Sequence, residues 1–245
     1  MNQDAAFTAT WGAAVADGVG GGPAGDLASA AFVHRLAAGR VGALEPEALA
    51  TSVRAANWDL RAHVERDATL SGMATTFTGL FVSSAGDLLL AHTGDSRAYR
   101  LRDAALVQQS RDDSLVQALL EQGLVSVEDA LAHPHRNIIT ASLGGRERDA
   151  ASVDAHEARI GDRWMLCSDG LTDYVPEAEI HAMLAWHADP AEAARACVEL
   201  ALAAGTHDNV TVVVCDVLPA SVADAGETAG TAFYGSAAAR FMEGL

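Results

Sequence analysis

The chain has 245 residues, half of them apolar, with 33 acidic against 16 basic side chains and a formal net charge of −17. That length accommodates one α/β or layered β domain with a full core, and so large an acidic excess argues against nucleic acid or an anionic membrane surface as partner. The three scattered cysteines suggest neither a disulfide framework nor a zinc cluster, and no basic leader or long apolar run is present, so a soluble cytoplasmic protein is expected.

In chain order, Asp26 to Ala38 and Glu47 to Asp67 read as helices. In the second, Leu49, Val53, Ala56, Leu60 and Val64 recur at helical spacing behind Pro46. Thr75 to Ser84, Leu88 to Thr93 and Ser96 to Arg102 suit strands, with Ala85-Gly86-Asp87 as a turn, and together they predict an antiparallel meander. Ser114 to Asn137 is polar and helix-prone and reads as an insertion over the sheet edge. Asp162 to Cys167 and Val210 to Val217 read as strands flanking two helices, one starting at Pro176 and one running from Pro190 to Gly205. Blocks of strands and blocks of helices favour stacked antiparallel sheets with helices outside over a doubly wound parallel sheet. From Pro219 the chain is rich in Ala, Gly, Ser and Thr and reads as a flexible tail with a short amphipathic turn at Phe241 and Met242.

Four aspartates stand in short motifs of their own: Val15-Ala16-Asp17-Gly18, Gly94-Asp95-Ser96-Arg97, Cys167-Ser168-Asp169-Gly170 and His207-Asp208-Asn209. Singly, an Asp-Gly pair is most often a turn. Carboxylates repeated at strand ends from distant parts of the chain are what a hard divalent cation needs for an oxygen shell. The glycine run from Gly18 to Gly25 lacks the Gly-Lys-Ser/Thr ending of an NTP-binding loop and suits a close backbone approach at Gly18. Thr75 and Thr76 read as sheet residues, His133 and His135 as exposed loop residues, and Cys167 as a buried strand thiol without the Cys-x5-Arg of a thiol phosphatase.

Asn2-Gln3-Asp4, VADGVGGGPAG at 15–25, GMATTFTGL at 72–80, HTGDSRAYRLR at 92–102, RDDSLVQALLEQG at 111–123, HPHRNIITASLGG at 133–145, MLCSDGLTDYV at 165–175 and HDNVTVVV at 207–214 occur in this order. The ordered set resembles the bacterial branch of the metal-dependent protein phosphatase 2C family over about residues 2 to 217, where an insertion or flap spans about 111–137. The resemblance implies an α+β fold: a four-layer sandwich of two antiparallel sheets flanked by helix pairs, with a dinuclear metal cleft at one end. It also implies removal of phosphate from phosphoserine and phosphothreonine in proteins, with two Mn²⁺ or Mg²⁺ ions and a weaker third site. Asp17 would bridge the two metals, with the Gly18 carbonyl on the second. Asp169 and Asp208 would complete the first, so that Asp17, Asp169 and Asp208 form the catalytic set. Asp4 would contact the second metal directly or through water, and Asp95, Asp169 and Asp173 would form the third site. The partners implied are phosphorylated proteins, substrates of a bacterial serine/threonine kinase, acted on by a monomer.

Some positions depart from the family pattern. The Arg that lies three residues before the Asn of the first motif, and binds substrate phosphate, would precede Met1, as would the first strand. Gln3 stands where many relatives have Glu, Gly22 and Asp113 where His is usual, and Val19 where some eukaryotic relatives carry a His proposed as general acid. Two readings therefore stand side by side: a phosphatase, or a phosphoprotein-binding regulatory module weak or inactive in catalysis. A metal-dependent nuclease is disfavoured by the acidic balance.

Overall fold

The computed structural model describes residues 1–19, 24–39, 44–131, 133–219 and 230–243. Its first half contains β1 (Asp4–Ala9), β2 (Gly12–Asp17), α1 (Gly25–Ala38), α2 (Pro46–Arg66), β3 (Phe77–Val82), β4 (Leu88–Thr93), β5 (Arg97–Arg102), β6 (Ala105–Gln108), α3 (Leu115–Glu121) and α4 (Val127–Leu131). There follow β7 (Ser152–His156), β8 (Arg163–Cys167), α5 (Asp169–Thr172), α6 (Glu177–Trp186), α7 (Pro190–Ala203), β9 (Val212–Asp216), β10 (Ala232–Gly235) and α8 (Ser236–Glu243). The strands form two antiparallel sheets, one in the order β10-β1-β2-β3-β4-β7 and one in the order β6-β5-β8-β9.

Side-chain alternation along the strands explains the layering. Ala5 and Phe7 of β1, Ala14 and Ala16 of β2, and Leu89 and Ala91 of β4 face one core, shared with Phe32 and Leu36 of α1 and Leu49, Val53 and Leu60 of α2. Their neighbours Ala6, Val15 and Leu90 point the other way, into a core between the sheets completed by Ala98, Trp164, Leu166 and Val213. On the second sheet, Tyr99, Met165 and Cys167 face outward against Ile180 and Leu184 of α6 and Ala193, Cys197 and Ala201 of α7. Strands buried on both faces must be apolar at nearly every position, and the period of two then decides which core each residue joins. The four-layer αββα arrangement is the one that the resemblance implied.

Helix boundaries follow local chemistry. Pro46 and Pro190 occupy first-turn positions, where a missing N–H costs nothing, and the Asp189 side chain accepts hydrogen bonds from the N–H groups of Ala191 and Glu192. Within the insertion, the Ser114 hydroxyl caps α3 by accepting the Gln117 N–H.

Two expectations are corrected. Of the predicted meander only the first hairpin forms: β3 and β4 pair in the first sheet, while β5 pairs with β6 and β8 in the second. In the second sheet, Ala98 of β5 is covered by the first sheet and Tyr99 by α6 and α7. The segment read as a flexible tail is structured over Ala232–Glu243, with Phe241 and Met242 in the last turn of α8. β10 satisfies the outer edge of β1, where unpaired backbone groups would otherwise invite another strand. Among the described residues no helix is long and apolar enough to cross a membrane.

Candidate metal centre

The strands deliver their terminal carboxylates to one end of the sandwich. Asp4 opens β1 and Asp17 closes β2, and the two are opposite each other in the ladder. Asp95 lies in the crossing that takes the chain from β4 to β5, while Asp169 follows the end of β8 and begins α5. Arg97, Cys167 and Val212 are in register across the second sheet, so Asp95, Asp169 and the Asp208-Asn209 turn before β9 arrive at the same end.

Sequence-distant hydroxyls hold these acids. The Asp17 N–H donates to Thr76 Oγ1 at 3.0 Å, and the Asp17 carbonyl accepts the Thr76 N–H at 2.8 Å and the Thr75 hydroxyl at 2.9 Å. Thr76 Oγ1 also lies 2.9 Å from Ser96 Oγ, next to Asp95. The Ser168 hydroxyl donates to Asp4 Oδ2 at 2.8 Å and accepts the Thr211 N–H at 3.0 Å, joining β1 to the second sheet. Asn209 Oδ1 accepts the Gln3 N–H at 2.7 Å, and Asp208 Oδ1 accepts the Asn209 N–H at 2.7 Å. Gly18 is confined by backbone: a Cβ there would stand 2.3 Å from the Gly25 carbonyl oxygen, so only glycine fits.

A cleft of about 280 Å³ opens onto these residues, lined by Gln3, Asp17, Gly18, Val19, Thr76, Asp95, Asn137, Ile139, Asp169 and Asp208. An adjoining hollow is lined by Asp95, Asp169, Asp173, Arg97, Asp112 and Arg136 among others. Asp173 Oδ2 lies 3.2 Å from Arg136 Nε, so the insertion reaches back to the acids through one guanidinium. Arg97 is committed elsewhere, with its Nε and Nη2 both donating to Asp112.

The electrostatics are those of acids crowded together away from water. Burial and then the Asp4 and Asp169 charges hold Asp17 well above the usual carboxylate range. Burial, with Asp169 next, pushes Asp95 up to about 8, and burial with Asp208 and Asp173 pushes Asp169 up to about 6. Asp4 is raised by burial, against hydrogen bonds that pull it down. Asp4 Oδ1 and Asp169 Oδ1 are buried without a hydrogen-bond partner. Unpartnered buried carboxylate oxygens beside like charges are costly unless a cation completes them.

This donor set of carboxylates, a backbone carbonyl at Gly18 and open space fits Mg²⁺ or Mn²⁺, which take oxygen ligands and keep several waters, better than zinc. Among the described residues no three acidic, His or Cys side chains already close on one point as a finished cage. The acids form a chain of neighbouring pairs running Asp208 and Asp4 to Asp17, Asp169, Asp95 and Asp173. All seven residues singled out from sequence, Asp4, Asp17, Gly18, Asp95, Asp169, Asp173 and Asp208, thus lie in one neighbourhood, although Asp208 is solvent-exposed.

Sequence reasoning missed the supports. Thr75 and Thr76 hold the Asp17 backbone, Ser168 holds the Asp4 carboxylate, and the Ser96 hydroxyl meets that of Thr76. Asp113 pins the insertion to the crossing by accepting the Gly94 N–H at 3.1 Å and donating its own N–H to the Gly94 carbonyl at 2.7 Å. Short polar residues next to strand-end acids were the available signal. His133 and His135 lie together in the insertion and line neither the cleft nor the hollow. Gly22 and most of the glycine run lie outside the described residues.

Comparison with known proteins agrees with this geometry. The family model described as Protein phosphatase 2C matches residues 1–203. The serine/threonine protein phosphatase PstP of Mycobacterium tuberculosis is 42% identical over 223 residues, covering 89% of this chain and 42% of that protein. The serine/threonine phosphatase stp of Listeria monocytogenes is 34% identical over 209 residues, 82% of each chain. Among solved structures, the Mycobacterium tuberculosis PstP/Ppp phosphatase superposes with a TM-score of 0.83 at 40% identity, covering 89% of this chain and 93% of that one. The PstP catalytic domain in complex with two manganese ions gives 0.81 at 39% identity, with coverage of 89% and 93%. The chain spans about two fifths of the length of the first curated relatives it matches. With a family match over most of its length and the acids of the first and last motifs gathered at one end of a four-layer sandwich, this chain belongs to the protein phosphatase 2C family.

Proposed function

We propose that this chain is a protein serine/threonine phosphatase that hydrolyses phosphoserine and phosphothreonine with two Mn²⁺ or Mg²⁺ ions. The observation that carries the reading is the row of buried and half-buried, mutually repelling carboxylates with two orphaned oxygens, facing an open cleft in a chain of this family. Asp17 would bridge the pair, Asp169 and Asp208 would complete the first ion, and Asp4 and the Gly18 carbonyl would serve the second. Asp95, Asp169 and Asp173 would hold a weaker third. When bound, the ions supply an activated water and positive charge for the phosphoryl oxygens.

The chain's own part is orientation and charge. The Thr75 and Thr76 hydroxyls fix the Asp17 backbone, and Ser168 fixes one Asp4 oxygen, leaving the other for a ligand. Arg136, half-exposed and joined to Asp173 by one contact, is the guanidinium near the acids that a substrate phosphate can recruit, since Arg97 is spent on Asp112. Val19 in the cleft wall has no ionisable proton, so leaving-group protonation falls to water or to another residue. Phosphorylated proteins made by a serine/threonine kinase are the substrates in this reading. A reducing, cytoplasmic setting suits the three unpaired cysteines.

The test is manganese-dependent hydrolysis of p-nitrophenyl phosphate and of a phosphothreonine peptide by the purified chain. Turnover that requires added Mn²⁺ or Mg²⁺ is expected. A folded preparation that binds manganese yet hydrolyses neither substrate would overturn the reading in favour of a binding module.

A further inference from the structure

The C-terminal strand and helix touch the same residues that carry Asp4. β10 pairs with β1 from Thr8↔Ala232 to Ala5↔Gly235. Gly235 ends the strand at φ 63°, where a Cβ would stand 2.3 Å from the Asp4 carbonyl oxygen, so the chain presses against the Asp4 backbone there. The next residue, Ser236, is buried with its Oγ 3.0 Å from Ser29 Oγ of α1. Ser29 donates to the Gln3 carbonyl at 2.5 Å, and that carbonyl also accepts the Gly18 N–H at 3.1 Å.

The proton count gives this relay a direction. Ser29 has one hydroxyl proton, engaged on Gln3, so Ser236 must donate to Ser29. The resulting chain, Ser236 to Ser29 to the Gln3 carbonyl, is buried at its two hydroxyls, where successive hydrogen bonds reinforce one another. It ends on the carbonyl that holds Gly18, one residue before Asp4 and one after Asp17. Two further contacts clamp α8 to α1: His34 Nε2 lies 2.8 Å from the Ala237 carbonyl, and Arg240 pairs with Asp26.

We propose that Ser29 and Ser236 are positioning residues of the metal centre, through which residues 232–243 set the backbone at Gln3, Asp4 and Gly18 and thereby the affinity for the divalent cation. This rests on the metal site of the proposed function, but on binding and not on turnover. The role is one of orienting ligands from behind, the kind whose loss weakens metal binding about 10- to 100-fold.

The experiment titrates Mn²⁺ calorimetrically into the metal-free full chain, as wild type and as Ser29→Ala, Ser236→Ala, Ser236→Thr, the Ala double variant and Cys197→Ala. The expected result is a Kd about tenfold weaker in Ser29→Ala and a smaller loss in Ser236→Ala. The double variant should match Ser29→Ala, and Ser236→Thr should be restored by its hydroxyl. Amide exchange at Asp4, Ala5 and Gly18 should quicken in both Ala variants. Cys197→Ala, in the core beyond the second sheet, should lower thermal stability and leave the Kd unchanged. Folded Ala variants with wild-type Kd and exchange would overturn the proposal. If the Ala variants do not fold, exchange in the wild type decides: Mn²⁺ should protect amides of β10 and α8 together with those of β1, and protection confined to β1 and β2 would overturn it. Manganese binding without hydrolysis would sink the phosphatase reading alone, whereas normal hydrolysis with unshifted Kd in the variants would sink this one alone.

Discussion

The two ends of the sandwich treat buried acids in opposite ways. At the end away from the cleft, Asp162, which is 2% exposed, receives Arg102 Nε at 2.6 Å, and Asp216 receives Arg163 Nε at 2.6 Å. The hydrogen bond from Arg102 holds Asp162 below the usual carboxylate range. At the cleft end Asp4 is equally buried, at 1% exposure, but its neighbours are Asp17, Asp208 and a serine, and it is held above that range. The same strands link both arrangements: β5 lies between Asp95 and its own Arg102, and β8 between Asp162 and Asp169. One end is neutralised by the chain itself; at the other, carboxylates face one another.

The largest effect is expected of Asp169→Asn. Hydrolysis should fall at least about a thousandfold, while the metal-free variant should melt higher than the wild type, because a repelled buried charge is gone. A lower melting temperature would show that Asp169 is a structural acid like Asp162. Next in size, Ser168→Ala should weaken Mn²⁺ binding about tenfold, read by calorimetry, with kcat at saturating metal little changed. At the neutralised end, Asp162→Asn should lower stability to urea and leave the Mn²⁺ dependence of hydrolysis untouched.

The smallest and most diagnostic effect is in pH. Asp95 and Asp169 have folded-state values near 8 and 6 against an ordinary 3.8, so the unfolded chain gives up these protons first. Their contribution to metal-free stability is therefore full below about 4 and is lost as pH rises through 6 and 8. Asp162 runs the other way: its contribution is present above 3.8 and is lost as pH falls through its lowered value. The melting temperature of metal-free protein should decline between pH 5 and 8, and saturating Mn²⁺ should flatten that decline. A metal-free profile flat over this range would refute the assignment of Asp95 and Asp169 as uncompensated acids.

Much of the fold was legible locally. β4 is Leu88–Thr93 as read, and α1 and α2 lie within a residue of their expected limits, because apolar periodicity and prolines at helix starts are local signals. β1 and β2 were harder. Asp-Ala-Ala-Phe-Thr-Ala and Gly-Ala-Ala-Val-Ala-Asp are weak strand formers, and they are held as strands by ladders to each other, to β10 and to β3, in a core shared with α1. The Ala- and Gly-rich C-terminus hid β10 for the same reason, since nothing in Ala-Phe-Tyr-Gly announces which sheet edge it will meet.

The site divides similarly. The strand-end aspartates that gather at the cleft could be singled out locally, because each motif needs only its immediate neighbours to be recognised. Asp113, Ser168 and Ser29 could not be found that way, since each gains its meaning from a partner far along the chain: Gly94, Asp4 and Gln3. Composition and local pattern pointed to α1, α2, α6 and α7, to β3, β4, β5, β8 and β9, and to the aspartate motifs. Which strands share a sheet, how the C-terminal segment closes over β1, and which hydroxyls hold the carboxylates in place depended on long-range packing, because a hydrogen bond between distant residues has no local signature until the cores bring them together.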